Sequence, residues 1–515
     1  MIVKRFTIAT FFVLIFIFGG QISELAINSN SIMNASKEKT TDNITEDLTV
    51  FSEGESIEIY EQIKSSSSQG LPEDSYLLPN SPKLWTLLIY MCADCNLEDA
   101  AIEDINELEY AGGTDLNINV LVLIDRIEGY DDSNGDWTTA KLFRIESDSV
   151  IGGNIVSTEL ADYGEINMGN WHTLNYFLEY GVTNYPAESY ALILWNHGDS
   201  AFNCCIDDTK GEATTIYDHT DPANNDYYLS LFDIRDACQA CSDYINIIAF
   251  DCCLSSQAEL AYVLSEVTDL MVASQKVIPN DGYDYYTILT DLKANIGWNA
   301  FGLGNCIVDS YENFYKLSES NSQLSLINLG VMRTTFIQQL KNLAHNLTDA
   351  MDIIPMNLYI ARQSSYFTGR TMDIVDFCNI LYDLVDDVDL KESLDIFRDY
   401  IENSLILNNY VHSLSSGRLH GLSIFMPRYR VSWESQINWY IYYASQNLMP
   451  MAYESDWDSF LTAYYDPLED LPNAMPYYTD LNIAEKGFLD KQTQDHYYIY
   501  DVDTTGVYYL RTDVL

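Results

Sequence analysis

Apolar and polar residues along the chain follow two periodicities that predict strands alternating with helices. Short apolar runs typical of buried strands occupy residues 85–91, 118–124, 188–195, 245–250 and 267–274, with a weaker run at 141–145. Apolar residues at helical spacing occupy residues 97–110, 168–182 and 231–241. Strands that alternate with helices form a largely parallel sheet covered by helices on both faces. The chain up to residue 274 therefore predicts an α/β fold.

The remainder of the chain predicts more helices and two short β segments. Helical spacing occupies residues 331–348 and 390–408, and apolar strand-like runs occupy residues 422–426, 497–502 and 507–511. The last two runs flank Thr504-Thr505-Gly506, a sequence typical of a hairpin turn. We therefore expect a helical extension of the α/β region and a short C-terminal β segment.

The strong negative charge of the chain limits the kinds of partner that it can bind. Its net charge is −51, from 77 acidic and 26 basic residues. Nucleic acids and anionic membrane surfaces are bound through Lys and Arg, so this charge argues against both as partners. It favours a soluble protein that prefers cationic partners.

The N-terminus has the pattern of a secretory signal. Lys4 and Arg5 precede an apolar run at residues 6–18. This run is shorter than the roughly twenty apolar residues of a comfortable membrane-spanning helix. No clear cleavage site follows it, so an uncleaved membrane anchor stays open. We expect the protein to be secreted or to lie on the extracellular surface.

Residues 245–264, INIIAFDCCLSSQAELAYVL, combine a buried strand with a helix that follows it directly. Cys252 and Cys253 lie in the turn between them. Ser256 and Glu259 form a capping-box pattern, which predicts that the helix begins just after the two cysteines. Because a helix N-terminus stabilises negative charge, a thiol at that place is a candidate nucleophile.

A second strand, YALILW at residues 190–195, ends in Asn196-His197-Gly198. The carboxyl ends of parallel strands meet at one edge of a sheet, and this edge is where α/β proteins bind their ligands. His197 and Cys253 should therefore lie close together, as a thiol nucleophile and its base require.

Several separate motifs carry a resemblance to a known family. They are WTLLIYMCADCNLEDAA at 85–101, NHG at 196–198, FDCCL at 250–254, ASQKVIPNDGYDY at 273–285, and the segments 373–381 and 421–427. In this order they resemble the clostripain family of cysteine peptidases, within the larger caspase-like group, over roughly residues 84–465. The separation of His197 and Cys253, 253 − 197 = 56 residues, is also close to the gap of roughly fifty residues in caspases.

The resemblance implies a fold and a division of the chain. The fold is a caspase/clostripain-like three-layer α/β/α sandwich with a largely parallel sheet. We expect a signal peptide or anchor at 1–20, a linker or propeptide at 21–82, the peptidase region at 83–465, a linker at 466–482, and the start of a β-domain at 483–515.

The resemblance also implies catalytic roles. The family's nucleophile is the fourth residue of Phe-Asp-x-Cys-Leu, which is Cys253 and leaves Cys252 as the variable position. His197 is then the general base, and the backbone N–H groups of Gly198 and Cys253 are candidates for the oxyanion hole. No third, orienting carboxylate is assigned.

Specificity and processing are expected to depend on charge. A cationic side chain in a desolvated pocket needs a carboxylate partner. By resemblance to enzymes that cut after Arg or Lys, Asp251 and Asp281 are the predicted pocket acids, with Asp284 as the alternative to Asp281. The family also implies self-cleavage after a basic residue in the loop that follows His197, residues 199–216. Lys210 is the predicted cleavage residue in this loop.

The cysteines and acidic residues of the sequence do not decide whether the protein binds a cofactor. Ten cysteines in an exported chain favour disulfides or buried thiols, and the two CxxC pairs are 238 − 95 = 143 residues apart, which argues against structural zinc. No metal ligand is assigned, and the roles of Cys92 and Cys95 stay open. Calcium dependence occurs in part of the resembled family, but the chain has no EF-hand loop, so no cofactor is predicted with certainty and Ca²⁺ stays open.

The leading hypothesis is a secreted or surface-tethered cysteine endopeptidase that acts on proteins or peptides with Arg or Lys at P1. The first alternative is a catalytically dead relative that uses its acidic face and C-terminal β segment for adhesion. The second is a thiol amidohydrolase for small amides with the same fold and dyad.

Overall fold

The computed structural model describes residues 82–199, 203–209, 228–368, 370–428 and 449–465, and the backbone of residues 497–503 and 506–512. The strands are β1 Lys83–Ala93, β2 Ile118–Arg126, β3 Lys141–Arg144, β4 Thr158–Asp162, β5 Ala187–Trp195, β6 Gly198–Asp199, β7 Asn203–Cys204, β8 Leu229–Ser230, β9 Ile247–Asp251, β10 Leu270–Ala273, β11 Gln323–Asn328, β12 Phe367–Thr368, β13 Thr371–Asp373, β14 Ile406–Val411, β15 Ser423–Phe425, β16 Tyr497–Asp503 and β17 Gly506–Thr512.

Twelve α-helices lie within the described residues. They are α1 Glu98–Tyr110, α2 Trp171–Asn184, α3 Leu231–Ala240, α4 Ala258–Leu264, α5 Tyr285–Ala294, α6 Ala300–Tyr315, α7 Ile337–Ala350, α8 Pro355–Ser364, α9 Ile374–Leu384, α10 Val388–Tyr400, α11 Pro450–Glu454 and α12 Trp457–Tyr465. Within the described residues, none of these helices combines the length and the apolar character that crossing a bilayer requires.

The central sheet has nine strands in the order β14-β11-β10-β9-β5-β1-β2-β3-β4. The five inner strands, β10, β9, β5, β1 and β2, are parallel to one another. The two strands at each edge are antiparallel. The expected parallel sheet is therefore confirmed for its interior. The weak run at 141–145 is a strand, but it pairs antiparallel with β2, and β4 beyond it was not predicted from the sequence.

Alternate residues of each inner strand face opposite sides of the sheet and enter two separate cores. In β1, Leu88 and Tyr90 pack in one core and Leu87 and Ile89 in the other. Helices α2, α3 and α4 cover the first face, and α1, α5 and α6 cover the second. This pattern is why the strands are apolar at nearly every position, and it confirms the predicted three-layer α/β/α architecture.

The predicted capping box at the start of α4 is wrong. The helix begins at Ala258 with Gln257 at its N-cap, and no side chain caps it. The Ser256 hydroxyl donates to the Gly421 carbonyl at 2.5 Å, and Glu259 Oε1 accepts from the Phe425 backbone N–H at 2.9 Å. Both side chains therefore hold a segment more than 160 residues away along the chain, which a local pattern could not reveal.

The helix predicted at residues 390–408 extends too far, because the observed helix α10 ends at Tyr400. Helix α10 is followed by a π-helical turn at Ile401–Leu405 and then by strand β14. This strand pairs antiparallel with β11 at the edge of the central sheet. Pairing with an available sheet edge overrides the local helical spacing of these residues. The helix predicted at 331–348 is present, although its first turn is π-helical and α7 proper begins at Ile337.

The C-terminal strands β16 and β17 pair antiparallel, with Asp503 opposite Gly506, as the hairpin pattern predicted. Thr504 and Thr505 lie outside the described residues. The same holds for the predicted signal segment at 1–20, almost all of the linker at 21–82, and the linker at 466–482.

Candidate active site

His197 and Cys253 lie at the ends of two neighbouring parallel strands. Strands β5 and β9 pair so that Trp195 stands opposite Asp251. Each candidate residue follows its strand by two positions, since 197 − 195 and 253 − 251 both equal 2. The Asn196 N–H donates to the Asp251 carbonyl at 3.4 Å and extends the contact beyond the sheet. The structure thus brings these two predicted residues to one edge.

Gly198 packs directly on the backbone of Cys253. A Cβ atom added at Gly198 would lie 2.2 Å from the Cys253 carbonyl oxygen and 3.1 Å from its amide nitrogen. The Gly198 backbone also acts to lower the pKa of the Cys253 thiol, against the effect of burial. The two predicted oxyanion donors therefore belong to one small region, and only a hydrogen fits at the α-carbon of residue 198.

The thiol of Cys253 is half-buried and does not lie at a helix N-terminus. Helix α4 begins five residues after it, at Ala258 (258 − 253 = 5). The prediction that the N-terminus of this helix stabilises the thiolate is therefore wrong. Burial raises the pKa of Cys253, and backbone hydrogen bonds at Ile278, Gly198 and Cys253 itself act against this increase. The Cys253 thiol itself donates to the Ile278 carbonyl oxygen at 4.0 Å.

The ring of His197 is half-buried and is held by Asn96. The Nε2 atom of His197 lies 2.8 Å from Oδ1 of Asn96, in the turn that follows β1. Burial lowers the pKa of His197, while the nearby carboxylate of Asp208 acts in the opposite direction. Sequence analysis missed Asn96. The sequence could have indicated Asn96 through its position just after β1, because β1 is the neighbour of β5 in the sheet.

Asn196 fixes the turn that carries His197. Its side-chain NH₂ donates to the carbonyl of Cys92 and lies 3.5 Å from the sulfur of Cys95. Its Oδ1 accepts from the Ile206 N–H at 3.3 Å. Cys92 and Cys95 do lie beside the site edge, and their surroundings are those of buried thiols that support this turn.

Cys252 faces the interior, away from Cys253. Its thiol donates to the Leu194 carbonyl at 3.3 Å, and its sulfur lies within 4.8 Å of those of Cys204 and Cys205. Burial raises its pKa well above the ordinary value. All ten cysteines are in described positions and are free thiols. A buried, protonated thiol is a poor nucleophile, so of the two vicinal cysteines Cys253 is the better placed.

Asp251 lies buried beneath the loop that carries Asp281. Its Oδ2 accepts from the Tyr283 N–H and the Tyr285 hydroxyl, both at 3.1 Å. A Cβ atom on Gly282 would lie only 2.8 Å from the same oxygen, so Asp281 immediately precedes a residue in close contact with Asp251. Burial raises the pKa of Asp251 to about 7, against the two hydrogen bonds. Asp281 is exposed.

The alternative acid, Asp284, has a structural role. It is the N-cap of α5 and accepts from the backbone N–H of Thr287 at 2.9 Å and from its hydroxyl at 2.8 Å. Such a cap stabilises a helix and occupies the carboxylate. Lys210, the predicted processing residue, lies outside the described residues.

One group of carboxylates near this edge could hold a metal ion, although the sequence assigned no metal ligand. Its members are Asp94, Asp125, Glu165 and Asp207, whose oxygens lie within 4.8 Å of one another.

Comparison with known proteins places this geometry in a family. The family model described as the Clostripain family matches residues 89–468. The clostripain of Hathewaya histolytica is 29% identical to the chain over 240 residues, which are 42% of this chain and 43% of that protein. The chain therefore matches less than half the length of that relative.

Two solved structures share the fold. One is a secreted C11 cysteine protease from Bacteroides thetaiotaomicron in complex with an irreversible peptide inhibitor, with a TM-score of 0.51 and 19% identity. The other is an inactive zymogen C11 protease from Parabacteroides distasonis, with a TM-score of 0.50 and 18% identity. Each alignment covers 73% of this chain and 99% of the other. With a family match over most of its length and the caspase-like sheet that carries it, the chain belongs to the clostripain family of cysteine peptidases.

Proposed function

We propose that this protein is a cysteine endopeptidase that cleaves peptide bonds after Arg or Lys through a dyad of His197 and Cys253. The observation that carries the proposal is the register of β5 and β9, in which Trp195 pairs with Asp251 and the candidates His197 and Cys253 each follow two residues later. The clostripain relative supports a peptidase in particular.

The proposed reaction begins with the transfer of the Cys253 thiol proton to His197. The sulfur attacks the scissile carbonyl, the C–N bond breaks, and His197 returns its proton to the leaving amine. Water then hydrolyses the acyl-enzyme with His197 again as base. The negative oxygen of each tetrahedral intermediate accepts hydrogen bonds from the N–H groups of Gly198 and Cys253, and each such donor is typically worth about 10²–10³ in rate.

Asn96 serves as a positioning residue in this scheme. Its Oδ1 accepts a hydrogen bond from the Nε2–H of His197, so the imidazole tautomer with a basic Nδ1 is favoured. Because burial lowers the pKa of His197, the ring is neutral and able to act as a base at neutral pH.

The proposed S1 pocket uses Asp251 at its base and Asp281 at its rim. A buried carboxylate beside an exposed one suits a long cationic side chain that enters with its charged end first. Self-processing near Lys210 and secretion are parts of the same proposal. The zymogen form of a related structure supports the first, and the secreted form of another supports the second.

The test compares the full chain with two matched variants on fluorogenic peptides ending in Arg, Lys, Ala or Asp. Cys253→Ala should abolish hydrolysis, and Cys252→Ser should retain most of it. Arg and Lys peptides should be cleaved at least tenfold faster than the others. If hydrolysis is absent although a thiol-directed probe labels the protein, the adhesion alternative gains support. If only small amides are cleaved, the amidohydrolase alternative does, and loss of activity in Cys252→Ser alone would reassign the nucleophile.

A further inference from the structure

Four buried cysteine side chains come together beneath the strand ends that carry the dyad. Cys92 is the next-to-last residue of β1, Cys204 and Cys205 lie at and just after the end of β7, and Cys252 directly follows β9. All four are at most 2% exposed and belong to one hydrophobic core. The sulfurs of Cys204, Cys205 and Cys252 lie within 4.8 Å of one another, and the side chain of Cys92 interacts with that of Cys205. Three separate segments of the chain therefore bring four thiols to one place.

The backbone at Cys205 allows two adjacent cysteines to reach the same cluster. In an extended segment, neighbouring side chains point to opposite sides. Cys205 instead has a φ of 57°, in the left-handed region that residues other than Gly, Asn and Asp rarely adopt. The chain adopts this unfavourable conformation directly after β7, and both sulfurs then lie beside that of Cys252.

The nucleophile of the proposed dyad is not part of this cluster. Cys253 packs against the core on the opposite face of the sheet, whereas the four clustered cysteines all lie in the first core. The large separation of the two CxxC pairs along the chain does not count against a site here, because only Cys92 belongs to either pair. The cluster can therefore bind an ion without occupying the reactive thiol.

We infer that Cys92, Cys204, Cys205 and Cys252 bind one Zn²⁺ ion. The set offers four sulfur atoms, and thiolates select ions such as Zn²⁺ and Cu(I) over Mg²⁺ and Ca²⁺. Structural zinc sites are closed tetrahedra of four protein ligands with Zn–S distances of about 2.3 Å, which places the sulfurs about 3.8 Å apart. Three of the sulfurs already lie within 4.8 Å of one another, so small side-chain movements complete this geometry. The fourth thiol favours Zn²⁺, since Cu(I) is commonly satisfied by fewer sulfurs, and each thiol that binds the ion releases its proton to the solvent.

The site lies directly beneath the proposed oxyanion donors. Cys204 pairs with Gly198 across β6 and β7, and Cys252 immediately precedes Cys253. A Cβ atom on Gly198 would lie 3.1 Å from the Cβ of Cys252, so the two turns are in close contact. The ion would fasten β1, β7 and the turn after β9 to one another. Because hydrogen bonds and packing also hold these turns, loss of the ion should cost stability much more than peptidase activity.

The binding test uses the full chain with Cys253→Ala, so that its outcome does not depend on peptidase activity. The protein is kept reduced, stripped with EDTA, and titrated with Zn²⁺ in competition with a chromophoric chelator. We expect one saturable ion per chain and a thermal midpoint that rises by several degrees at about 100 times the Kd. Co²⁺, used as a spectroscopic probe, should give the sulfur-to-metal charge-transfer absorption and the strong visible bands of a tetrahedral thiolate site. Absence of saturable Zn²⁺ binding, or binding of Cu(I) alone, would overturn the inference, because plain buried thiols bind no Zn²⁺.

Three variants in the same background locate the ion. Cys204→Ser and Cys92→Ser should each lower the Zn²⁺ affinity more than about a hundredfold, since loss of a mere supporting contact costs about 10- to 100-fold. Cys306→Ser, in α6, removes a buried free thiol outside the cluster and is the matched control. All three stripped variants should melt below the stripped parent, because each buries a hydroxyl, but only Cys306→Ser should keep the zinc-dependent rise. If either cluster variant keeps the affinity of its parent, the four-sulfur site is refuted.

Discussion

The Nε2 atom of His197 lies 2.8 Å from Oδ1 of Asn96, a residue of the turn after the neighbouring strand β1. An amide oxygen can only accept, so Nε2 carries the proton and Nδ1 is the basic nitrogen. The residue that contacts the imidazole is therefore Asn96, which lies within the motif at residues 85–101 but was assigned no role from the sequence. Its effect on the imidazole can be measured.

Replacement of Asn96 by Ala should reduce kcat on the order of tenfold to a hundredfold, a part of what a general base contributes, and leave KM nearly unchanged. Asn96→Asp retains an acceptor and adds negative charge, so activity should largely return with the acidic limb of the pH–rate profile moved to higher pH. Steady-state kinetics between pH 5 and 9 provide both readouts. Equal losses in the two variants, with no displacement of the profile, would show that Asn96 only supports the fold.

Replacement of Gly198 by Ala should damage the site through a steric clash. The added Cβ would meet the Cys253 carbonyl at 2.2 Å, so the two strand ends must separate. We expect kcat to fall at least a hundredfold and the free energy of unfolding to fall by about 1–3 kcal/mol, as for other overpacked sites. Gly297→Ala is the control, because nothing lies within 4 Å of its Cβ position. Wild-type kinetics in Gly198→Ala would show that the close packing of residue 198 on Cys253 is not needed.

The preference for a cationic P1 residue should depend on pH through Asp251. Burial raises the pKa of this acid to about 7, so it is neutral below that pH and charged above it. The ratio of kcat/KM for an Arg peptide to that for its uncharged citrulline analogue should therefore rise as the pH increases through about 7. The titrations of His197 and Cys253 affect both substrates and cancel in the ratio.

The matched variant for this prediction is Asp251→Asn. It should give a ratio that is low and nearly independent of pH, because no carboxylate forms at the base of the pocket. A constant, high ratio from pH 5 to 9 in the unmodified protein would mean that Asp251 does not contact the P1 charge. Asp281→Asn, which removes only the exposed acid, should lower the ratio at every pH and leave its rise in place.

Self-processing should depend on Lys210. Freshly purified Lys210→Ala protein should remain a single chain on a denaturing gel while the unmodified protein is cut, because the substitution removes the cationic P1 side chain. The exposed Lys316→Ala, at the end of α6, is the control and should be cut normally. Mass spectrometry of the fragments identifies the bond. Normal cleavage after position 210 in the Lys210→Ala protein would contradict the prediction.

Local sequence patterns predicted the interior of the sheet well because its strands are buried on both faces. Continuous apolar runs such as residues 188–195 carry that signal whatever surrounds them. The same reasoning failed where contacts with residues far away in the sequence determine the local structure. Ser256 and Glu259 have the spacing of a capping box but bind residues near 421–425, and residues 406–408 continue a helical pattern but complete a sheet edge.

By itself, the sequence determined the inner parallel strands, the family, and the position of His197 and Cys253 just beyond two neighbouring strands, since these depend on short motifs and on the rule that parallel strands end at one edge. Only the tertiary structure placed Asn96 against the imidazole, turned Cys252 into the core, and gathered four carboxylates from separate segments. Such contacts join residues tens to hundreds of positions apart. Their existence depends on the register and packing of whole strands, which no local pattern of residues encodes.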